Sequence, residues 1–124
     1  MNDKNERGAW GEDRAVLYLR LHGYRILERN FRCRQGEIDV IARRGETVAF
    51  VEVKLRKNAE HGEAREFVTA SKQRRIVSTA EYWLAKNNCE LQPRFDVIEI
   101  YAPDGTRTLR PAIRHLQNAF GDYF

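Results

Sequence analysis

Two short runs of alternating apolar and polar residues constrain the fold of this chain more than any other feature. The first covers residues 36–41, with the sequence GEIDVI, and the second covers residues 51–54, with the sequence VEVK. Alternation with a period of two is the pattern of a half-buried β-strand. The connector over residues 43–47 is short and contains a glycine, which predicts an antiparallel hairpin with the two polar faces side by side.

The alternation also assigns side chains to faces, because alternate residues of a strand point the same way. Glu37 and Asp39 are expected on one face of the first strand. Glu52 and Lys54 are expected on one face of the second strand. The apolar residues on the opposite faces are Ile38 and Val40 in the first strand and Ala49, Val51, Val53 and Leu55 in the second.

This arrangement gathers carboxylates beside one lysine. Clustered carboxylates repel one another unless a cation offsets them, and their oxygen atoms suit Mg²⁺ or Mn²⁺. Such an ion leaves positions for a phosphate oxygen and a water, and Lys54 is placed to orient that water or to stabilise the developing charge. The chemistry indicated is phosphodiester hydrolysis. The alternative is a solvated strand face whose charges pair across the hairpin.

Length and composition favour one soluble globular domain over residues 1–124. Charged residues make up 32% of the chain and hydrophobic residues 42%, a balance unlike that of disordered or membrane proteins. The first residues lack the apolar core of a signal peptide, so a cytoplasmic location without membrane contact is expected. Cys33 and Cys89 form no CxxC pair, which predicts two reduced thiols rather than a zinc site or a disulfide.

Basic residues outnumber acidic ones slightly, 22 Lys and Arg against 18 Asp and Glu, which gives a formal net charge of +4. This balance permits binding to a polyanion without requiring it. The distribution is more informative, because basic residues flank the acidic site. A rim that holds phosphates explains this pattern, and a merely solubilising surface is the alternative. The flanking residues are Arg32, Arg34, Arg43, Arg44, Arg56, Lys57, Lys72, Arg74 and Arg75.

A first helix is expected from about Asn5 to His22, with Gly23 as its stop signal. Glu12 falls on its apolar stripe, where a carboxylate needs a partner. It is interpreted as a metal ligand, as a ligand through water, or as an acid paired with a buried arginine. The apolar stripe consists of Ala9, Ala15, Val16 and Leu19.

A second helix is expected after Thr69 or Ser71, either of which can cap it, and it should run to about Asn87. Gln73 lies on the apolar stripe and is interpreted either as a group that points to the site or as a satisfied core glutamine. Near the helix start, basic residues and the helix N-terminus can meet a phosphate together. The apolar stripe is Ile76, Val77, Ala80 and Leu84, and the basic residues are Lys72, Arg74 and Arg75.

The remaining segments are assigned from weaker patterns. Residues 24–32 are expected to be extended, and residues 55–67 are expected to form a polar loop that contains His61. A further strand is predicted over residues 94–101, with Asp96 at the surface. The apolar spacing between Ile113 and Phe120 predicts a short closing helix.

The ordered set of helical Glu12, Asp39, Glu52-Val53-Lys54 and helical Gln73 resembles the restriction-endonuclease-like, or PD-(D/E)xK, nuclease superfamily, especially its archaeal Holliday junction resolvase branch. Four longer segments resemble the YraN family of bacterial proteins, and this likeness covers nearly the whole chain. They are Gly11-Glu12 followed by Ala15, then 36–39 (GEID), 50–54 (FVEVK) and 72–75 (KQRR). The resemblance implies an α/β fold with a central mixed sheet flanked by helices.

The resemblance also implies roles for individual residues. Asp39 and Glu52 correspond to ligands of Mg²⁺ or Mn²⁺, and Lys54 corresponds to the residue that positions water or stabilises charge. Glu12 corresponds to an auxiliary acid and Gln73 to an orienting group. The function expected on this basis is metal-dependent hydrolysis of DNA, with branched DNA as one substrate.

One position departs from the superfamily pattern. The proline that precedes the aspartate in the superfamily is replaced here by Ile38, and Glu37 adds an acid. Proline shapes the backbone whereas a metal needs the carboxylate, so Asp39 remains the expected ligand and Glu37 is given an outer role.

The expected partner is DNA, with self-association as a homodimer left open. Two alternatives to the enzyme remain: a noncatalytic nucleic-acid-binding module, and an interaction subunit that assembles through the closing helix. The residues expected to contact nucleic acid are Arg56, Lys57, Lys72, Arg74 and Arg75.

Overall fold

Residues 3–57 and 68–121 are described by the structure, which is a computed structural model. They form a five-stranded mixed sheet with one helix on each face, which confirms the expected mixed sheet flanked by helices. The elements in chain order are α1 (Asp3–Leu21), β1 (Arg25–Cys33), β2 (Gly36–Arg44), β3 (Thr47–Arg56), α2 (Ala70–Lys86), β4 (Gln92–Tyr101) and β5 (Ala112–Phe120).

The strands lie in the sheet in their chain order, from β1 at one edge to β5 at the other. Three neighbouring pairs are antiparallel, and only β3 and β4 run parallel. A parallel pair needs a crossover, and the segment containing α2 supplies it. The predicted hairpin is confirmed, because β2 and β3 pair from Arg44 opposite Thr47 to Val40 opposite Val51.

Each helix covers one face of the sheet with an apolar cluster. Burial of a large apolar side chain stabilises the fold by about 1.5–3 kcal/mol, so these clusters hold the two layers together. The α1 side contains Ala15, Val16, Leu19, Tyr24, Val40, Ala42, Ala49, Val51, Ile98 and Ile100. The α2 side contains Phe31, Ile38, Ile41, Val48, Phe50, Val68, Ile76, Val77, Ala80, Trp83, Phe95 and Val97.

The ends of both helices follow their sequence signals. Gly23 adopts a φ of 84° just after α1, a left-handed conformation that glycine enters without strain. Thr69 is the N-cap of α2, and its side-chain oxygen accepts a hydrogen bond from the Lys72 backbone nitrogen at 3.1 Å. One detail of the first helix was wrong, because Ala9 is exposed rather than part of the buried stripe.

The expected alternation along β2 is interrupted. Ile38 packs on the α2 side whereas Val40 packs on the α1 side, so the prediction of a shared face was wrong. In the neighbouring strand β1, Asn30 adopts a φ of 51° at the same level of the sheet. Asparagine tolerates the left-handed conformation better than most residues. Ile38 and Val40 contribute to different apolar clusters, and Asp39 lies between them in the chain.

The predicted closing helix is also wrong, because Ala112–Phe120 is the edge strand β5 and pairs antiparallel with β4. Its apolar residues do not share one face. Ile113 packs against the α1-side cluster, whereas Leu116 and Phe120 pack against the α2-side cluster. Spacings of three and four residues occur on a helix, but in a strand they place Ile113 on one face and Leu116 and Phe120 on the other. The strand also has a register shift opposite Phe95 and a φ of 53° at Asn118.

The structure corrects two further expectations. Asp96 is not at the surface but fully buried, with 0% of its surface exposed. Leu55 and Arg56 belong to β3 rather than to the polar loop. Residues 58–67 of that loop, with His61, lie outside the described residues. Cys33 and Cys89 are both free thiols, as expected. Within residues 3–57 and 68–121, no helix is long and apolar enough to cross a membrane.

Candidate active site

The candidate site lies where β2 and β3 separate. Their paired residues end at Val40 and Val51, one position before Asp39 and Glu52. Beyond that point, the Val53 backbone nitrogen donates a hydrogen bond to Asp39 Oδ2 at 2.8 Å. The Asp39 carboxylate therefore accepts a hydrogen bond that a backbone carbonyl oxygen of β2 would accept in regular strand pairing. The separation of the two strands leaves room for this side-chain contact between β2 and β3.

Asp39 is a half-buried acid surrounded by other acids. Burial raises the pKa of Asp39 to about 7, and repulsion from Glu52 and then Glu12 adds to the effect. The hydrogen bond from Val53 and the charge of Lys72 oppose it only in part. An acid held in this way is stabilised by any added cation, so the surroundings of Asp39 favour cation binding.

Two lysines meet one oxygen of Glu52. Oε1 of this buried side chain lies 2.5 Å from Lys72 Nζ and 3.5 Å from Lys54 Nζ. Burial lowers the pKa of Lys54, although attraction to Glu52 acts in the opposite direction. Burial alone would lower the pKa of Lys72 too, but its hydrogen bond to Glu52 raises the pKa above the ordinary value. Glu52 and Lys54 thus lie together as predicted, with a second lysine added by α2.

Glu12 is paired with an arginine, which agrees in part with one of the three interpretations left open, although Arg29 is exposed rather than buried. Its Oε1 accepts hydrogen bonds from Arg29 Nε and Asn30 Nδ2, both at 2.9 Å. Glu12 is 7% exposed, so these two bonds compensate a carboxylate held near the core. Because Glu12 also raises the pKa of Asp39, the three acids form one electrostatic group.

Gln73 lies in the first turn of α2 and is half-buried. Its Nε2 donates a hydrogen bond to the Val68 backbone oxygen at 2.9 Å. This bond ties the helix start to the residue that leads into it. The helix start also carries Lys72, so Gln73 supports the position of a side chain that reaches Glu52.

The predicted nucleic-acid contacts separate into two groups. Arg74, Arg75 and Lys57 are exposed, as a phosphate-binding rim requires. Lys72 instead turns towards Glu52. The side chain of Arg56 is 20% exposed, with its Nε 3.5 Å from an oxygen of the buried Glu99. Arg56 is therefore largely inside the fold, and Lys72, whose side chain is 39% exposed, contacts an acid of the site.

A cleft of about 510 Å³ opens over Asp39 between the start of α1 and the tip of the β1–β2 hairpin. Small residues on α1 leave room for it, and an added Cβ at Gly8 would meet nothing within 4 Å. Sequence reasoning did not assign most of this cleft, because α1 and the hairpin are far apart in the chain. Its lining residues are Arg7, Gly8, Ala9, Gly11, Glu12, Asn30, Arg32, Glu37, Asp39, Val53 and Leu55.

Glu37 and Arg32 form an ion pair at the mouth of this cleft, with 3.1 Å between Arg32 Nε and Glu37 Oε2. Both side chains are largely exposed, so the pair contributes little to stability. Gly36, at the tip of the hairpin, has a φ of 155°, and an added Cβ would lie 3.0 Å from the Thr79 hydroxyl. Glycine therefore lets the hairpin tip pack closely against α2.

The donor atoms fit a hard divalent ion, although they are few. In the part of the chain that the structure describes, no group of three or more His, Cys, Asp or Glu side chains is arranged to hold a metal. Mg²⁺ commonly takes one or two protein carboxylates and keeps several waters. Asp39 and Glu52 meet that lower requirement, and their mutual repulsion gives a cation a reason to bind.

Comparison with known proteins places this chain among bacterial relatives of similar length. A UPF0102 protein of Geobacter metallireducens is 49% identical over 114 residues, which cover 91% of this chain and 90% of the relative. One from Caldicellulosiruptor saccharolyticus is 43% identical over 121 residues, covering 95% and 99%. One from Clostridioides difficile is 45% identical over 121 residues, covering 97% and 100%.

The family model agrees with these relatives. The model described as uncharacterised protein family UPF0102 matches residues 11–100, from the start of the Gly11-Glu12 motif to the end of the β4 core. The match therefore includes Asp39, Glu52, Lys54 and Lys72. The expected YraN membership is confirmed in this form, and the chain belongs to the UPF0102 family.

Proposed function

We propose that this chain is a metal-dependent endonuclease that hydrolyses DNA phosphodiester bonds. The observation that carries the proposal is the meeting of Asp39 and Glu52 with Lys54 at the point where β2 and β3 separate. Two acids that can hold a cation, beside a lysine that can act on a phosphate, are the groups that such hydrolysis requires.

The proposal includes a restriction-endonuclease-like fold and membership of the PD-(D/E)xK superfamily. Support comes from the arrangement of the elements. The aspartate lies on β2 and the Glu52-Val53-Lys54 motif on the adjoining β3, with Gln73 at the start of the crossover helix α2. These are the positions that the sequence resemblance leads us to expect.

The residues have distinct roles in this proposal. Val53 fixes the orientation of the Asp39 carboxylate through its backbone nitrogen. Asp39 and Glu52 would hold the divalent ion, which supplies positive charge at the phosphate and lowers the pKa of a bound water. Lys54 acts on the attacking water or the reacting phosphate. Exposed arginines at the start of α2 hold the DNA backbone.

Replacing Lys54 with methionine is expected to slow cleavage by about two to three orders of magnitude, the usual effect of losing one preorganised electrostatic group. DNA affinity should change little, because the side chain is only 22% exposed and lies against Glu52. Single-turnover rates at saturating DNA, with separate binding measurements, check both statements. A rate within twofold of the wild type would assign Lys54 to charge pairing alone.

Replacing Arg74 and Arg75 with alanine is expected to weaken binding to all DNA sequences alike. Each lost phosphate contact should flatten the slope of log affinity against log salt by about 0.9 on duplex DNA. Fluorescence anisotropy across a salt series measures this slope. Lys86→Ala, at the other end of α2, is the control that should keep the wild-type slope. An unchanged slope in the double variant would move the DNA path elsewhere.

The deciding experiment incubates purified protein with labelled linear, single-stranded and four-way DNA in Mg²⁺, Mn²⁺ or EDTA. We expect cleavage with either metal and none with EDTA, and we expect Asp39→Asn to be inactive on every substrate. Salt-dependent DNA binding without cleavage would contradict the proposed nuclease activity and favour a noncatalytic nucleic-acid-binding module. The comparison among substrates shows whether branched DNA is preferred.

A further inference from the structure

The contact between Lys72 and Glu52 is shorter than the contact between Lys54 and the same oxygen, 2.5 Å against 3.5 Å. Lys72 lies in α2 and contacts this oxygen from that helix. The first turn of that helix is fixed, because Thr69 caps the Lys72 backbone nitrogen. The ammonium group is therefore directed into the site by the fold.

A purely structural ion pair does not require this arrangement. Glu52 already has Lys54 beside it, and two ammonium groups next to one carboxylate repel each other. Asp39 supplies the second negative charge, and it interacts favourably with Lys72. The net charge of these four groups, two lysines and two acids, is close to zero only when both acids are ionised. Adding a divalent cation to this set requires that positive charge move away or that anions enter.

On the basis of the proposed function, we propose that Lys72 is an internal counter-ion that leaves Glu52 Oε1 when a divalent ion binds there, and then contacts a phosphate oxygen of the DNA. The ammonium group and the metal ion would compete for the same carboxylate and repel each other there, so binding of one opposes binding of the other. The lysine side chain has a flexible four-carbon stem and is 39% exposed, so it has room to move.

This exchange has a measurable consequence. A resident ammonium group competes with the metal for Glu52, so its removal should tighten metal binding even without DNA. The same removal should weaken DNA binding, but only when the metal is present and the lysine has been released. A structural ion pair that stays in place would not produce the second effect, because its lysine would not reach the DNA whether or not the metal is present.

The test measures Mn²⁺ binding to the full chain by calorimetry at pH 7.5, without DNA. Lys72→Met should bind Mn²⁺ about tenfold more tightly than the wild type, which is a modest share of the repulsion expected between neighbouring charges. Lys72→Gln, a shorter polar replacement, should act in the same direction and provides a second reading if the methionine variant folds poorly. Lys86→Met is the control, and its Mn²⁺ affinity should match the wild type.

DNA affinity is measured next in Mn²⁺ and in EDTA. The Lys72 variants should lose affinity in Mn²⁺ and keep it in EDTA. If wild type binds Mn²⁺ and cleaves DNA while both variants keep the wild-type Mn²⁺ affinity, the exchange is overturned and the proposed function stands. If the wild type binds no Mn²⁺, the proposed function fails and the exchange fails with it.

Discussion

Replacing Asp39 with asparagine is expected to remove metal-dependent cleavage while making the metal-free protein more stable at pH 8. Activity should fall by about three orders of magnitude or more, because a ligand charge is lost from the site. The fold should persist, since the asparagine side-chain oxygen can still accept the hydrogen bond from the Val53 backbone nitrogen. Cleavage assays and thermal melts in EDTA measure the two effects.

The stability gain follows from the raised pKa of Asp39. Burial, with repulsion from Glu52, raises this pKa from 3.8 to about 7 in the folded state. Between pH 3.8 and about pH 7, Asp39 keeps a proton in the folded chain that it has released in the unfolded chain, so the free energy of unfolding falls as pH rises. Above pH 7 the loss is complete and amounts to about 2–4 kcal/mol. The variant should therefore exceed the wild type most above pH 7 and match it below about pH 4.

Two comparisons make this prediction specific. Divalent ions should raise the melting temperature of the wild type more than that of Asp39→Asn, because only the wild type retains both ligands. Asp104→Asn changes an exposed acid in the β4–β5 connection and should alter neither activity nor stability. Full cleavage by Asp39→Asn would remove Asp39 from the site. A lower melting temperature at pH 8 would contradict the assigned pKa.

Replacing Asp96 with alanine is expected to destabilise the fold by about 3–5 kcal/mol, the cost of leaving buried charged partners uncompensated. Both Asp96 oxygens accept hydrogen bonds from Arg94, at 2.8 Å each. His115 Nε2 lies 2.7 Å from Oδ2, and the Asn118 backbone nitrogen donates to Oδ1 at 3.1 Å. One carboxylate thus joins β4 to the irregular part of β5. Urea denaturation measures the loss.

The pH dependence of this loss identifies its cause. Burial opposes ionisation of Asp96, but hydrogen bonds from His115 and Arg94 outweigh it and hold the pKa below the ordinary value. The stabilisation is therefore present above the unfolded pKa and is lost as pH falls through the folded pKa. The wild type and Asp96→Ala should converge in strong acid. Asp104→Ala is the exposed control, and a cost for Asp96→Ala of under about 1 kcal/mol would show that Arg94 finds other partners.

Local sequence patterns were sufficient to predict the hairpin, the two helices α1 and α2, and the grouping of Glu52 with Lys54. Each depends on neighbours within a few residues of the chain: a period of two for the strands, a helical period for α1 and α2, and turn or cap residues at their ends. The same reasoning placed Glu12 on a buried stripe. These features follow from the spacing of residues along a helix or a strand, so they can be predicted from the sequence alone.

The sequence misassigned β5 because spacing alone was ambiguous there. Ile113 and Leu116 are three residues apart, as on a helix, yet they lie on opposite faces of the sheet. The segment is a strand because it pairs with the edge of β4. Asn118 adopts a left-handed conformation within the irregular part of this pairing. Pairing across a sheet stabilises a strand through contacts that a local window of residues does not contain.

What only the tertiary structure decided is which charged groups compensate one another. Asp96 meets His115, Glu12 meets Arg29, and Glu52 meets Lys72, in each case across a distance in the chain that no periodicity connects. The sequence determined that acids would line the hairpin and that a helix with basic residues would follow it. The fold determined that one of those basic residues, Lys72, would turn towards Glu52, because burying a carboxylate is favourable only where a partner from another element reaches it.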